Sequence, residues 1–286
     1  MQRPPNPFSL YDFLGYFIPG AIALYSLIYF FGHVHPEFTP VSVARQLFDF
    51  SHPENYLPFV VTSYVVGHLL SYVSSITVEK YGVIQYGYPS KYLLNVPVQR
   101  YFSRRLWRKK LEWDDTPRVI CLILLAPIVL FDYLLGQKLA FNLRFVRPLD
   151  PILRNPALEM MRTMLANLAI VGSPNNADED FFRYVYHYSV EHAPNHFPKM
   201  QNYVAIYGFE RTITLIVVIY FWLSIWHAFF TSVKWSVSLL VTVAIGLIAY
   251  LFFMAFMKFY RRFSLEAIMA AIIVYKFPPT RLLSSE

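Results

Sequence analysis

Tyr64, His68, Ser71, Ser75 and Glu79 follow one another at steps of four, three, four and four. On an α-helix that spacing holds them to one side. A histidine set among hydroxyls can relay protons or line a wet path, and an ionisable group within a membrane faces a bundle interior or water because lipid will not solvate it. The same residues also suit plain packing, with each serine bonding a carbonyl one turn back and a neutral imidazole bonding a neighbouring helix. A second constellation lies in QRYFSRRLWRKKLEW, residues 99–113, where Arg100, Arg104 and Arg108 share a helical face beside Arg105, Lys109 and Lys110. Guanidinium forks bind phosphate, and the interleaved Tyr101, Phe102 and Trp107 can stack bases, so a nucleotide or short oligonucleotide fits this run. Anionic lipid headgroups fit it as well.

Other groups are weaker. Glu37, Asp49 and Glu54 are the acids of residues 32–56, which carry one Arg against them and so belong on the outer side. His33, His35 and His52 lack the carboxylates or thiols of a metal site, and His187, His192 and His196 have no accompanying HExxH pattern. Tyr220, Ser224 and His227 repeat the polar spacing, with His227 near the end of an apolar run, and Ser238, Thr242 and Gly246 form a small-residue row suited to close helix approach. No phosphate loop, nucleophile elbow or hydrolytic carboxylate pair occurs. The expectation is a protein that is not an enzyme and holds neither metal nor cofactor.

The elements that position these residues follow from composition. Of 286 residues 56% are hydrophobic, 19% aromatic and only 15% charged, and the mean hydropathy is +0.38. Soluble domains carry about 25% charged residues, so this chain belongs in a bilayer. Its one cysteine, Cys121, lies in an apolar run and has no partner for a disulfide. Apolar stretches at 8–31, 57–78, 212–230 and 235–257 are long enough to cross a core of about 30 Å. Gly15, Pro19 and Gly20 interrupt the first and are candidates for a hinge. A fifth stretch, 119–136, holds Pro127 and Asp132 and suits a re-entrant or buried helix, with a fifth crossing as the alternative.

Charge arbitrates between these. Residues 80–118 carry nine basic groups against three acids, which by the positive-inside rule makes them cytoplasmic. If 119–136 does not cross, Lys258, Arg261 and Arg262 fall on that side too. The expected fold is an all-α membrane protein of about four transmembrane helices, with a helical cytoplasmic domain inserted between the second and third crossings. Its parts are 1–78 with the outer loop, a basic domain over 79–211, a hairpin over 212–257 and a tail over 258–286, with both termini cytoplasmic. From about Lys199 the apolar periodicity runs without a break into the hairpin, which predicts one long helix leaving the membrane.

Three stretches, YDFLGYFIPG (11–20), GHLLSYVSS with the following Glu79 (67–79) and YGFERTITL (207–215), resemble small bacterial membrane proteins of anti-phage defence loci. The family they are most similar to is the Hailong-type effector. That resemblance implies a tetrameric ion channel in the bacterial inner membrane, closed by a short DNA oligomer that a partner nucleotidyltransferase makes, whose opening depolarises the host. This sequence's own candidates for those parts, not matched residue by residue to a family motif, are the Arg100–Lys110 cluster for the ligand, Glu37, Asp49 and Glu54 for the filter, and the second span for the pore. Two readings compete with a channel: a non-conducting anchor that recruits a cytoplasmic partner, and a lipid enzyme using His68 as base.

Overall fold

The computed structural model describes residues 12–34, 49, 51, 53–96, 116–168, 180–230 and 234–276. Among them every regular element is a helix. A π-helical turn over Phe13–Phe17 leads into α1, Ile18–Val34. The widened turn sits where Pro19 has no N–H for the carbonyl one turn back and its ring crowds that carbonyl. The second helix, α2, spans Tyr56–Ser74 and ends in another π turn, Ser75–Glu79, before α3 (Lys80–Tyr86) and α4 (Pro89–Leu93). Next come α5 (Thr116–Leu124), α6 (Ala126–Phe131) and a π turn over Asp132–Lys138. The remainder is α7 (Pro151–Asn167), α8 (Phe182–His192), α9 (Phe197–Phe230) and α10 (Trp235–Lys276).

Among the described residues four helical stretches are long and apolar enough to cross a bilayer: Phe13–Phe31, Tyr56–Leu93, Pro194–Phe230 and Trp235–Lys276. The protein is therefore an all-α, multi-pass membrane protein. Helices α9 and α10 extend well past the expected ends of the hairpin because nothing stops them. Pro198 stands at the second position of α9, where a missing N–H is harmless, and no proline occurs inside α10.

The chain divides into two compact units. The first contains Met1–Tyr81, Leu111–Ala140 and Ala205–Phe256; the second contains Gly82–Lys110, Phe141–Val204 and Met257–Glu286. Residues 79–211, read from sequence as one inserted domain, are thus shared between the two. In the first unit Ala23, Ile213 and Ile216 form a buried cluster with Val66, Leu70, Phe209, Val217, Tyr220 and Phe252 around it. Helices α1 and α2 touch backbone to backbone. A Cβ on Gly20 would lie 1.8 Å from the Ser63 carbonyl oxygen, and one on Gly67 would lie 1.9 Å from that of Tyr16. Gly20, a hinge candidate by sequence, is thereby a contact surface, and Gly15 is buried in the π turn beside it.

The stretch around Pro127 belongs to the first unit. Although α5 and α6 are separated at Leu125, its N–H still bonds the Cys121 carbonyl at 2.9 Å and its carbonyl accepts from Val129 at 3.0 Å, so the helical path is bent rather than broken. Leu125, Ile128 and Asp132 point inward and are fully buried, while Ile120, Ile123, Leu130, Tyr133 and Leu134 point outward. An apolar outer face over an inner carboxylate inverts the pattern of a soluble amphipathic helix and matches a lipid-contacting one. In the second unit Tyr92, Leu93, Phe145, Met160, Met161, Val185 and Met200 are buried. There Glu266 on α10 takes His196 Nδ1 on one carboxylate oxygen and Lys199 Nζ on the other, each at 2.8 Å.

Candidate functional site

The inward side of α2 is a row of small residues: Ser63, Gly67, Ser71 and Ser74, followed by Val78, are all buried. Such residues let helix backbones approach closely where lipid offers no hydrophobic drive to associate. Tyr64, His68, Ser75 and Glu79 lie one position over, on the edge of this row, and only Ser71 belongs to both sets. The π turn over Ser75–Glu79 widens the helix there, so the simple step of four no longer holds a face across it. As a result the polar stripe read from sequence divides in two.

Its lower half closes on Arg211 of α9. The guanidinium spends all three nitrogens: Nε donates to Ser74 Oγ at 3.1 Å, Nη2 to the Ser71 carbonyl at 3.2 Å and Ser71 Oγ at 3.1 Å, and Nη1 forms an ion pair with Glu79. Thr212 Oγ1, which donates to the Gly208 carbonyl at 2.9 Å, lies 3.5 Å from Ser74 Oγ. The Arg211 side chain is 10% exposed and that of Glu79 23%. One positive and one negative charge with a full set of hydrogen bonds satisfy the condition for holding ions in a low-dielectric interior. Ser71 and Glu79 are therefore committed to a neighbouring helix of the same chain. Ser75 bonds the Tyr72 carbonyl at 2.7 Å.

The upper half is different. The His68 ring stacks on Tyr16 with centroids 3.7 Å apart and planes at 19°, and Tyr64 meets it edge-on at 4.5 Å. Yet His68 remains exposed. It adjoins the outward stripe of α2, where Leu57, Val61, Val65, Leu69, Tyr72 and Ile76 each expose about half their surface or more. An imidazole near the middle of a span thus stands at the outside of the single chain.

A third cluster escaped the sequence. Asp132, fully buried, accepts from Tyr81 Oη at 2.9 Å, and the buried hydroxyl of Tyr250 lies beside it with no hydrogen-bond partner among the described residues. Gly136 is the lid on this trio, since a Cβ there would lie 2.5 Å from Asp132 Oδ1 and 2.8 Å from Tyr250 Oη. Nearby, Trp222 Nε1 donates to the Leu124 carbonyl at the bend, at 2.8 Å.

The remaining expectations are placed as follows. Asp49 Oδ1 accepts from the N–H and hydroxyl of Ser51 at 3.0 and 2.8 Å, a turn ahead of α2, and Glu54 is exposed in the short helix before it. Glu37 and the whole run Arg100, Arg104, Arg105, Arg108, Lys109 and Lys110 lie outside the described residues. Tyr220 donates to Ser26 on α1, and Ser224 pairs with Thr242 at 3.0 Å, which joins α9 to α10. Among the described residues no group of three or more His, Cys, Asp or Glu is disposed to hold a metal.

Arg211 and Ser74 are the residues of this cluster that spacing alone missed. A signal was present: Glu79 follows the second apolar run by one residue and Arg211 precedes the fourth by one, so in antiparallel helices opposite charges arrive at the same level. The three stretches 11–20, 67–79 and 207–215 meet here, contributing Tyr16 and Gly20, then Gly67, His68, Ser71, Ser74 and Glu79, then Arg211 and Thr212. No protein family matches the chain, and no characterised protein or solved structure is significantly similar to it.

Proposed function

We propose that this chain is one subunit of an oligomeric, ion-conducting membrane effector in which the second span borders the conducting path. The observation that supports this reading is the exposure of His68 on the outside of the single chain, near the middle of a span. Lipid is a poor solvent for imidazole, and the usual relief is a protein partner or water. Symmetric assembly supplies both, because it brings the same edge of α2 from every copy around one axis. Tyr64 and His68 are then the lumen candidates on this helix, while Ser71 and Glu79 serve as the internal brace with Arg211.

The regulatory side rests on the basic run and on the resemblance: a short DNA oligomer or nucleotide at Arg100–Lys110 holds the channel closed, and release depolarises a bacterial inner membrane during phage infection. Four copies, both termini in the cytoplasm and a partner nucleotidyltransferase belong to the same reading. A non-conducting anchor is the second reading, favoured by the complete internal satisfaction of Arg211.

Ion flux through liposomes carrying the purified protein, with and without short DNA oligomers, separates the two. A channel gives flux that the oligomers suppress and that His68→Leu alters in conductance without loss of folded protein. Silence in every condition, with the protein intact and inserted, overturns conduction and leaves the anchor.

A further inference from the structure

Helix α10 carries no charged residue from Trp235 to Met257, and then Lys258, Arg261 and Arg262 arrive within five positions. At 1.5 Å per residue that uncharged run covers about 34 Å, slightly more than a hydrocarbon core. The three cations therefore emerge at headgroup level. Arg261 is pinned, with Nε and Nη2 both donating to the Arg147 carbonyl at 3.1 and 3.0 Å, which fixes its guanidinium plane and leaves Nη1 with both its protons. The Arg147 and Arg262 charges both oppose its own. Arg262 and Lys258 stand over the Phe259 ring at 5.8 and 5.9 Å. Among the described residues none of Arg147, Arg261 and Arg262 has an acid as partner.

We propose that Arg147, Arg261 and Arg262 form a binding site for the phosphate of an anionic lipid. Three like charges gathered without a counter-charge call for an anion, and guanidinium forks suit phosphate oxygens. The lipid source follows from level and surroundings. Leu143 and Ile152, which flank Arg147 in sequence, leave 62% and 85% of their surface open, as acyl-chain contacts would require. This inference depends on α10 crossing the bilayer and not on conduction, so it stands or falls separately from the channel.

The test uses the full chain in detergent, titrated with phosphatidylglycerol, with phosphatidylcholine and with inorganic phosphate, and read as lipid adducts by native mass spectrometry. Phosphatidylglycerol is expected to bind preferentially, with about fivefold lost for each of Arg147→Gln and Arg262→Gln and phosphatidylcholine binding unchanged. Among the described residues neither of those side chains makes a hydrogen bond, so folding is spared, whereas Arg261→Gln loses its hold on the loop as well. Retention of the full phosphatidylglycerol preference in the double variant overturns the site. Inorganic phosphate bound in place of phosphatidylglycerol, with no lipid preference, overturns the lipid assignment.

Discussion

Arg211 is the residue on which most of the internal chemistry converges, and its removal separates two explanations of that convergence. Arg211→Met leaves the Glu79 carboxylate and the Ser71 and Ser74 hydroxyls behind without their donor, which costs about 3 kcal/mol in a buried pair. Glu79→Met in the same chain removes the stranded charge, and most of that loss is expected to return. Reversible unfolding in mixed micelles measures both. If the double variant stays as unstable as Arg211→Met, the cost comes from packing and not from an uncompensated charge. Arg211→Lys falls between, because an ammonium keeps the ion pair but lacks the planar fork that reaches Ser71 and Ser74 together. Glu210, the neighbour of Arg211, behaves oppositely: its Oε2 is buried and has no hydrogen-bond partner among the described residues, so Glu210→Gln leaves stability unchanged or raises it in the same assay.

At the scale of elements the decisive contacts are made by missing side chains. Gly67→Ala drives a methyl into the Tyr16 carbonyl of α1, and Gly20→Ala drives one into the Ser63 carbonyl of α2. Backbone cannot swing aside as a side chain can, so each is expected to cost about 2 kcal/mol or more and to loosen the α1–α2 pair. Gly246→Ala meets only ring edges, of Phe131 at 2.8 Å and Phe221 at 3.3 Å, and costs less. Ranking the three by thermal unfolding checks this; a Gly246 variant as damaged as the Gly67 one would contradict it. The helices themselves were plain in the sequence, since apolar runs of about twenty residues have few alternatives in lipid. Which face of each helix turns inward was not. Ser74 and Gly67, small and nearly featureless in sequence, occupy the inner side of α2, while the chemically conspicuous Tyr64 and His68 stand at its edge. Asp132 was hidden for a related reason, because its partner Tyr81 and its neighbour Tyr250 are remote in sequence and neither has a spacing that announces it.

For the whole molecule, sidedness is the property that composition constrains most and that labelling decides most directly. In a chain carrying Cys121→Ala, single cysteines at Tyr88, Lys234 and Lys276 report three positions: beyond α3, between α9 and α10, and at the end of α10. With four crossings, Tyr88→Cys and Lys276→Cys react with an impermeant reagent from one side and Lys234→Cys from the other. A crossing by the stretch 116–138 puts Tyr88→Cys and Lys276→Cys on opposite sides. That same stretch carries a consequence for how the protein is made. Its inward carboxylate finds its partner Tyr81 already synthesised, but Tyr250, which packs beside Gly136 and stacks on Phe131, belongs to a helix made later. The stretch therefore cannot settle as it is made; it has to wait, loosely held, until Tyr250 arrives. A nascent chain halted before Trp235 is expected to leave Cys121, half-buried in the finished protein, faster to react with a thiol reagent than it is there, which makes this segment one that locks into place only after α10 is made.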